Sequence, residues 1–529
     1  MMEQASNIYI ALAVSTPLVA AVLILLSPRK LAEAWSMLAA IITLVATVTL
    51  FADFRAGNVP MLHVMDLVPG LGISFRIDAL GITFGMLASV LWVLATMYSY
   101  GYVRDNKLSH CRRYFACFAA SIGAALGIAY SSNLITFLLF YEALTLATYP
   151  LVVHKETREA MLAGRRYLFF ALSGGLLLTV GVIWTWAVLG TVEFAPGGFM
   201  HQLDPGLIPI LFVLLFGGVA VKAAIMPLHA WLPAAMVAPS PVSALLHAVA
   251  VVKAGVFGCM RVFGFTFGPE SLDGSILPGI VIIMTATTIV IGSLIALQQS
   301  NLKKRLAYST VVHLSYIVLG AAMLSPFAFT GSVFHMVNHG LAKITLFFCA
   351  GAIYATAHLT EISQLKGLGR KMPWTMGAFT VGSLGLVGIP GMCGFVSKFF
   401  LARGAWQADE MAAMGVMLGA SLFTALYLLP IVKTAYFDEP DEVVHAAAAH
   451  HPEHGEARLA LRIPLLTTAA LVVIFGFVPL VVNVQYDLAS GVAEGVFDPP
   501  TEPTRTVEEP SPPLPEGEQE LHLSEGANR

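Results

Sequence analysis

Charge is scarce in this sequence. Lys, Arg, Asp and Glu make up 12% of its 529 residues and hydrophobic residues 57%, whereas a soluble globular chain carries about 25% charge; a soluble fold is excluded at the outset. A basic excess is missing too, since the net charge is −3, so no nucleic-acid partner is expected. Cysteine is sparse: Cys111, Cys117, Cys259, Cys349 and Cys393 are scattered, mostly inside apolar runs. They form no CxxC and no metal-ligand cluster, so disulfides, iron–sulfur centres and zinc are not indicated. GxGxxG and haem-attachment motifs are also absent. No cofactor and no resident metal are expected, and any oxidoreductase activity would come from partners.

Long apolar runs fill the space that charge leaves. A hydrocarbon core of ~30 Å needs ~20 apolar residues in a helix. Such runs lie near 8–27, 34–53, 78–100, 113–130, 133–153, 167–190, 207–226, 242–263, 276–298, 306–324, 329–357, 376–401, 411–436 and 460–484. The reading is an all-α polytopic membrane protein of about 14 transmembrane helices. The first run lacks a small-residue cleavage site and is read as a retained span. Loops after odd-numbered spans hold eighteen Lys and Arg, among them Arg112, Arg113, Lys303 and Lys304; the opposite loops hold only Arg55, Arg76, Arg261 and Arg403. This bias places the odd-numbered loops in the cytoplasm, and both termini on the outer face of a bacterial inner membrane.

Three regions follow. Residues 1–77 hold the first two spans and an outer loop, 78–485 a transmembrane core, and 486–529 a tail. From Asp498 onward the tail is rich in Pro and Glu and cannot bury a core, so it is expected to be disordered. A polar insert at 438–458 carries His445, His450, His451 and His454; a solvated loop is the plainer reading than a metal site.

Against this background a few charges stand out. Lys222, Lys253, Lys343, Lys398 and Lys433 lie in or at the ends of apolar spans. Lys433 sits near a span end and can snorkel. An ionisable side chain at mid-membrane costs ~2.5–3.5 kcal/mol on insertion scales and marks function by default. Glu142 is the one acid inside a span, so pairing cannot neutralise four lysines. Desolvation and like charge favour the uncharged amine, and a lysine so placed can both accept and release a proton.

Histidines extend the set. His335, His339 and Lys343 lie at i, i+4 and i+8 of one span and stack on one face. His247 lies six residues before Lys253. His313 and His229 are candidate accessory groups; a lone buried histidine is ordinarily a structural hydrogen-bond partner. Helix breakers cluster beside the lysines: Pro227 after Lys222, Pro239 and Pro241 before the eighth span, Gly340 before Lys343, and Gly388, Pro390, Gly391 and Gly394 before Lys398. Small-residue packing explains many glycines, but broken helices at membrane depth line cavities and binding sites.

The stretch Lys222-Ala-Ala-Ile-Met-Pro227-Leu-His229-Ala-Trp231-Leu-Pro233, continuing Ala238-Pro239-Ser-Pro241-Val-Ser243-Ala-Leu-Leu-His247 and Lys253-Ala-Gly255, resembles the antiporter-like subunits of respiratory complex I and of Mrp-type multisubunit cation/proton antiporters. The pattern is shared with membrane-bound hydrogenases. The resemblance implies two inverted five-helix repeats with the seventh and twelfth spans broken. It implies a proton relay in which Glu142 pairs with Lys222, Lys253 and His247 pass charge onward, His335, His339 and Lys343 form the middle, and Lys398 is the terminal exchange site. Ala234 stands where complex I members often carry an acid, and no long lateral helix follows the last span. Both departures lean towards an Mrp-type protein, nearest to the D-like members of that group. Partners implied are other subunits of a membrane complex, protons, and sodium or another monovalent cation.

Alternatives remain alongside: a membrane-arm subunit of an NADH:quinone oxidoreductase, a hydrogenase or an inorganic-carbon uptake complex, or a scaffold whose lysines bind lipid headgroups.

Overall fold

A computed structural model describes residues 2–68, 71–440 and 455–499. It is a bundle of long helices: α1 (Met2–Leu26), α2 (Arg29–Arg55), α3 (Ala79–Asp105), α4 (Cys111–Tyr130), α5 (Leu134–Val152), α6 (Arg158–Leu189), α7 (Ile208–Lys222), α8 (Ser240–Leu272), α9 (Leu277–Gln298), α10 (Leu302–Ala322), α11 (Pro326–Ala357), α12 (Pro373–Val387), α13 (Cys393–Gln407), α14 (Met411–Phe437), α15 (Leu459–Phe477) and α16 (Pro479–Phe497). Among the described residues, 11 helices are long and apolar enough to cross a membrane. The expected spans fall in the same order, each on one helix or on two half-helices. α7, α12 and α13 have 15 residues each, about 22 Å at 1.5 Å per residue, too short to cross alone.

Helix starts follow side-chain chemistry. Asp78, Asn133, Thr157 and Asn301 each accept a hydrogen bond from the backbone N–H three residues on, at 2.7, 2.8, 3.2 and 3.2 Å, which satisfies a donor the helix itself cannot. Ion pairs separate the two ends of the bundle. At the end rich in Arg and Lys, Arg113 bonds Glu156 at 2.6 Å and Arg458 bonds Asp105 at 2.9 Å. At the other end Arg55 meets Asp487 at 3.1 Å.

The outer loop within 1–77 contains an antiparallel hairpin, β1 (Met61–Val68) and β2 (Leu71–Arg76), with Met61 opposite Arg76 and Val68 opposite Leu71. The expected fourteenth span, 460–484, breaks at Val478, and Pro479 opens α16 as a first-turn proline. Proline fits there because its missing N–H would be unbonded anyway. The segment expected as a tail from 486 is therefore helical through Phe497. His445, His450, His451, His454 and the Pro/Glu-rich stretch from 500 lie outside the described residues. α11 runs unbroken through Gly340, so that glycine is no hinge. A Cβ there would meet Ala248 O at 3.1 Å, and its role is close packing on α8.

Candidate functional site

Lys222 is the last residue of α7 and fully buried. Its ammonium lies 3.4 Å from the centre of the Tyr141 ring and bonds the Tyr141 carbonyl, so ring quadrupole and carbonyl dipole hold the charge together. The chain then leaves the helix: Ala224 has φ +55, Trp231 Nε1 donates to Val221 O at 2.8 Å, and Met226 N donates to Thr288 Oγ1 on α9 at 3.1 Å. Helix α8 packs directly on this break. A Cβ on Gly255 would fall 2.8 Å from Ala223 Cα, so only glycine permits the approach.

Glu142 follows Tyr141, yet its carboxyl faces α6 and forms no ion pair with Lys222. Oε1 is buried without a hydrogen-bond partner. The carboxyl is seated on Gly175, where a Cβ would come 3.0 Å from Oε2 and nearer still to Oε1.

The middle of the site is two hydrogen-bonded groups of side chains that meet at neighbouring histidine rings. Lys253 on α8 reaches His339 on α11, Nζ to Nδ1 2.8 Å. The His339 ring lies 5.6 Å, centre to centre, from that of His313 on α10. His313 Nδ1 is 3.1 Å from His335 Nε2, and His335 Nδ1 is 2.8 Å from Ser397 Oγ on α13. All these residues except Ser397 are read from the sequence as candidates, but their order is new: His313, an accessory candidate, sits at the centre. His335 and His339 do share one face of α11, and α10 supplies the group between them.

One set of tautomers satisfies all of these bonds together. If Ser397 donates its one proton to Gly394 O, 3.1 Å away, it accepts from His335 Nδ1–H. A neutral His335 then accepts at Nε2 from His313 Nδ1–H, which leaves His313 Nε2 a bare acceptor. A protonated Lys253 donates to His339 Nδ1 and leaves the proton of His339 on Nε2. The two nitrogens left over, Nε2 of His339 and Nε2 of His313, are both buried without partners. One is a donor and the other an acceptor, on neighbouring rings.

The second break closes the line. Gly388, φ +85, ends α12, and Lys398 on α13 folds back onto that end. Its ammonium bonds Leu386 O at 2.8 Å, Val387 O at 2.9 Å and Ser421 Oγ at 2.9 Å. All three of its protons are taken, two by carbonyls at the negative end of a helix dipole.

Other expected residues fall elsewhere. His247 occupies a π turn, Leu245–Val249, fully buried, with neither ring nitrogen bonded; its ring packs 4.6 Å from that of Phe347, not on Lys253. Lys343 is fully buried but turns from the histidines to Leu306 O at 2.9 Å. His229 is half-buried in the first break, 6.3 Å from the Tyr308 ring. Lys433 is exposed and bonds Asp438 at 2.6 Å. Arg261, counted as a loop cation, is instead buried at the end of the α8 core, with bidentate bonds to Asp78 of 2.6 and 2.9 Å. The rings of Phe194, Phe257 and Phe265 surround its guanidinium. Burial pushes the Asp78 carboxyl upward, but the Arg261 charge and bonds hold it below the ordinary carboxylate range. Sequence pattern could not find this pair, whose members lie 183 residues apart.

Comparison with known proteins agrees with this architecture. Residues 131–424, more than half of the chain, match the transmembrane family described as NADH:quinone oxidoreductase/Mrp antiporter. NADH-quinone oxidoreductase subunit N of Desulforudis audaxviator is 29% identical over 424 residues, covering 78% of this chain and 84% of that one. A component of a probable K(+)/H(+) antiporter of Rhizobium meliloti is 32% identical over 76% of this chain and 40% of its own length. In fold, the chain superposes on one chain of the Mrp complex from Dietzia with a TM-score of 0.82 at 23% identity, covering 93% of this chain and 98% of the other. A chain of an archaeal membrane-bound sulfane sulfur reductase gives 0.81 at 24% identity. This chain is a multi-pass membrane protein of the family that unites NADH:quinone oxidoreductase subunits with Mrp antiporter subunits.

Proposed function

We propose that this chain is the proton-translocating subunit of a multisubunit cation/proton antiporter, embedded in a bacterial inner membrane with both termini outward. The observation that carries this reading is the succession of neighbouring groups Lys253, His339, His313, His335 and Ser397, ending beside Lys398. Its tautomers all point one way. A proton given by Lys253 to His339 Nδ1 releases one from Nε2 to the bare Nε2 of His313. His313 then gives its Nδ1 proton to His335 Nε2, and His335 passes its Nδ1 proton to Ser397 as the Ser397 hydroxyl gives its own proton to Lys398, which must first have released one of its three. Each ring takes a proton on one nitrogen and gives another up from the other, the chemistry to which imidazole is suited. Running the line again requires the rings to return to their starting tautomers.

The feeding end is Glu142 and Lys222. Movement of Glu142 towards Lys222 would favour the ammonium form, and movement away from it would favour release of the proton towards Lys253. A neighbouring protein of the complex that moves Glu142 would drive the stroke. A related protein is named for the antiport of K(+) and H(+), which supports a monovalent cation as the opposing ion.

A second reading, the membrane arm of an oxidoreductase complex, is supported by the relative named as NADH-quinone oxidoreductase subunit N, 84% of which this chain covers. Proteoliposomes of the purified complex discriminate the two: an imposed Na⁺ or K⁺ gradient should move protons in the first case, and only the complex's redox substrates in the second. In either case Lys222→Ala and Glu142→Ala should abolish proton movement while the complex still assembles. Full transport by both variants would sink the relay.

A further inference from the structure

At the Arg/Lys-rich end of the bundle a cavity of about 600 Å³ opens between α3, α6, α8, α10 and α11. It plays no part in the relay above. Its wall carries Lys155, Arg166, Lys303 and Lys304 against one acid, Glu159. Lys303 spends one bond on Ala238 O at 2.6 Å, and none of the four cations has a carboxylate ion-pair partner among the described residues. The floor is polar and buried. Tyr102 and Ser240 are each 2% exposed, Tyr102 Oη sits 3.5 Å from Ser240 Oγ, and the Ser240 hydroxyl has no acceptor of its own among the described residues. Three long helices, α6, α8 and α10, begin at the rim, with Thr157, Ser240 and Asn301 all lining it. Helix N-termini add positive potential and free N–H groups in the same direction as the four cations.

Such a site gathers many donors around little negative charge, with Lys155, Arg166 and Lys304 exposed at its mouth and Lys303 half-buried. Four cations, two buried hydroxyls and three helix starts suit a tetrahedral dianion or a phosphodiester, which offers several acceptor oxygens at once. We propose that this cavity binds a phosphate group, carried either by an anionic lipid headgroup or by a soluble phosphate. Leu162, exposed on the outer face of α6 beside Arg166, leaves the rim open to an acyl chain, which favours the lipid.

The test uses the detergent-purified complex and native mass spectrometry with three probes: phosphatidylglycerol, phosphatidylcholine and inorganic phosphate. The wild type should retain phosphatidylglycerol over phosphatidylcholine, and the Lys304→Gln/Arg166→Gln double variant should lose that preference by about tenfold or more. Arg112→Gln, a basic change outside the cavity, should leave it intact. If instead inorganic phosphate binds, raises the melting temperature of the wild type and not of the double variant, and phosphatidylglycerol shows no preference, the site is confirmed with a soluble ligand. Equal binding of every probe by wild type and double variant would overturn it, and a Lys303→Gln variant checks that result, because its partly buried ammonium belongs to the floor rather than to the rim.

Discussion

The two broken spans hold their lysines in opposite ways. Lys222 ends its own helix, rests on one aromatic ring and one carbonyl, and has its natural counter-charge, Glu142, turned away onto Gly175. Lys398 belongs to the helix after its break and caps the helix before it with three bonds. The first lysine is held by one ring and one carbonyl, both of Tyr141, with no bond to Glu142, the next residue in sequence. The second is fixed by backbone and needs no acid. The difference continues inward: Ser397, the residue before Lys398, is hydrogen-bonded through His335 to His313, and Lys253 to His339, with the His313 and His339 rings 5.6 Å apart, whereas no such series of groups links Lys222 to Lys253.

Four changes test that contrast. Of these four, cutting the line of histidines should have the largest effect. His313→Ala removes the ring between His339 and His335, and proton transport by proteoliposomes of the complex should fall by about 100-fold, the range expected when a positioned proton carrier is lost. Next, Gly388→Ala places a Cβ in the left-handed region and 2.9 Å from Lys398 Cδ. A strain of about 1–2 kcal/mol should lower the melting temperature of the purified complex and displace Lys398, reducing transport by about tenfold. A smaller effect is expected from a change beside the first break that keeps both Lys222 and Glu142. Gly175→Ala unseats Glu142 from α6, and transport should change several-fold, while Gly217→Ala, whose Cβ meets only Leu177 at 3.7 Å, should behave as wild type. The smallest effect is expected from His247→Gln, which removes a histidine bonded to nothing and should alter transport by about twofold at most. A His247 variant as damaged as the His313 one would mean that the line runs through the π turn instead.

Much of this arrangement was legible in the sequence. Hydropathy located the spans because a bilayer demands long apolar runs, and the rarity of charge made Lys222, Lys253 and Lys343 visible; all three are fully buried. Local spacing also put His335 and His339 on one face. Partners across helices were not legible. Nothing in the spacing says that His313 inserts between two histidines of α11, that Lys253 chooses His339 over His247, or that Arg261 leaves its apparent loop to bond Asp78. Those facts depend on how helices pack, and a period of 3.6 residues carries no information about which helix lies opposite. The break at Val478 was hidden for a different reason: the apolar run continues through Pro479 with no change in hydropathy. The hairpin of Met61–Arg76 was missed because β1 is exposed nearly throughout and so shows no inside–outside alternation.

The close contact of Gly255 with Ala223 has a consequence for the membrane as a whole. It places the backbone of α8 directly against the backbone of the break that follows Lys222, so that a side chain at position 255 has no space there. A transmembrane potential exerts ~2.3 kcal/mol per unit charge for each 100 mV, so any complete path of exchangeable protons would drain the gradient that the cell maintains. A bulkier residue at position 255 must therefore pry α8 from the break, and proteoliposomes holding the Gly255→Ala complex should report that separation as a faster passive proton leak than the wild type shows.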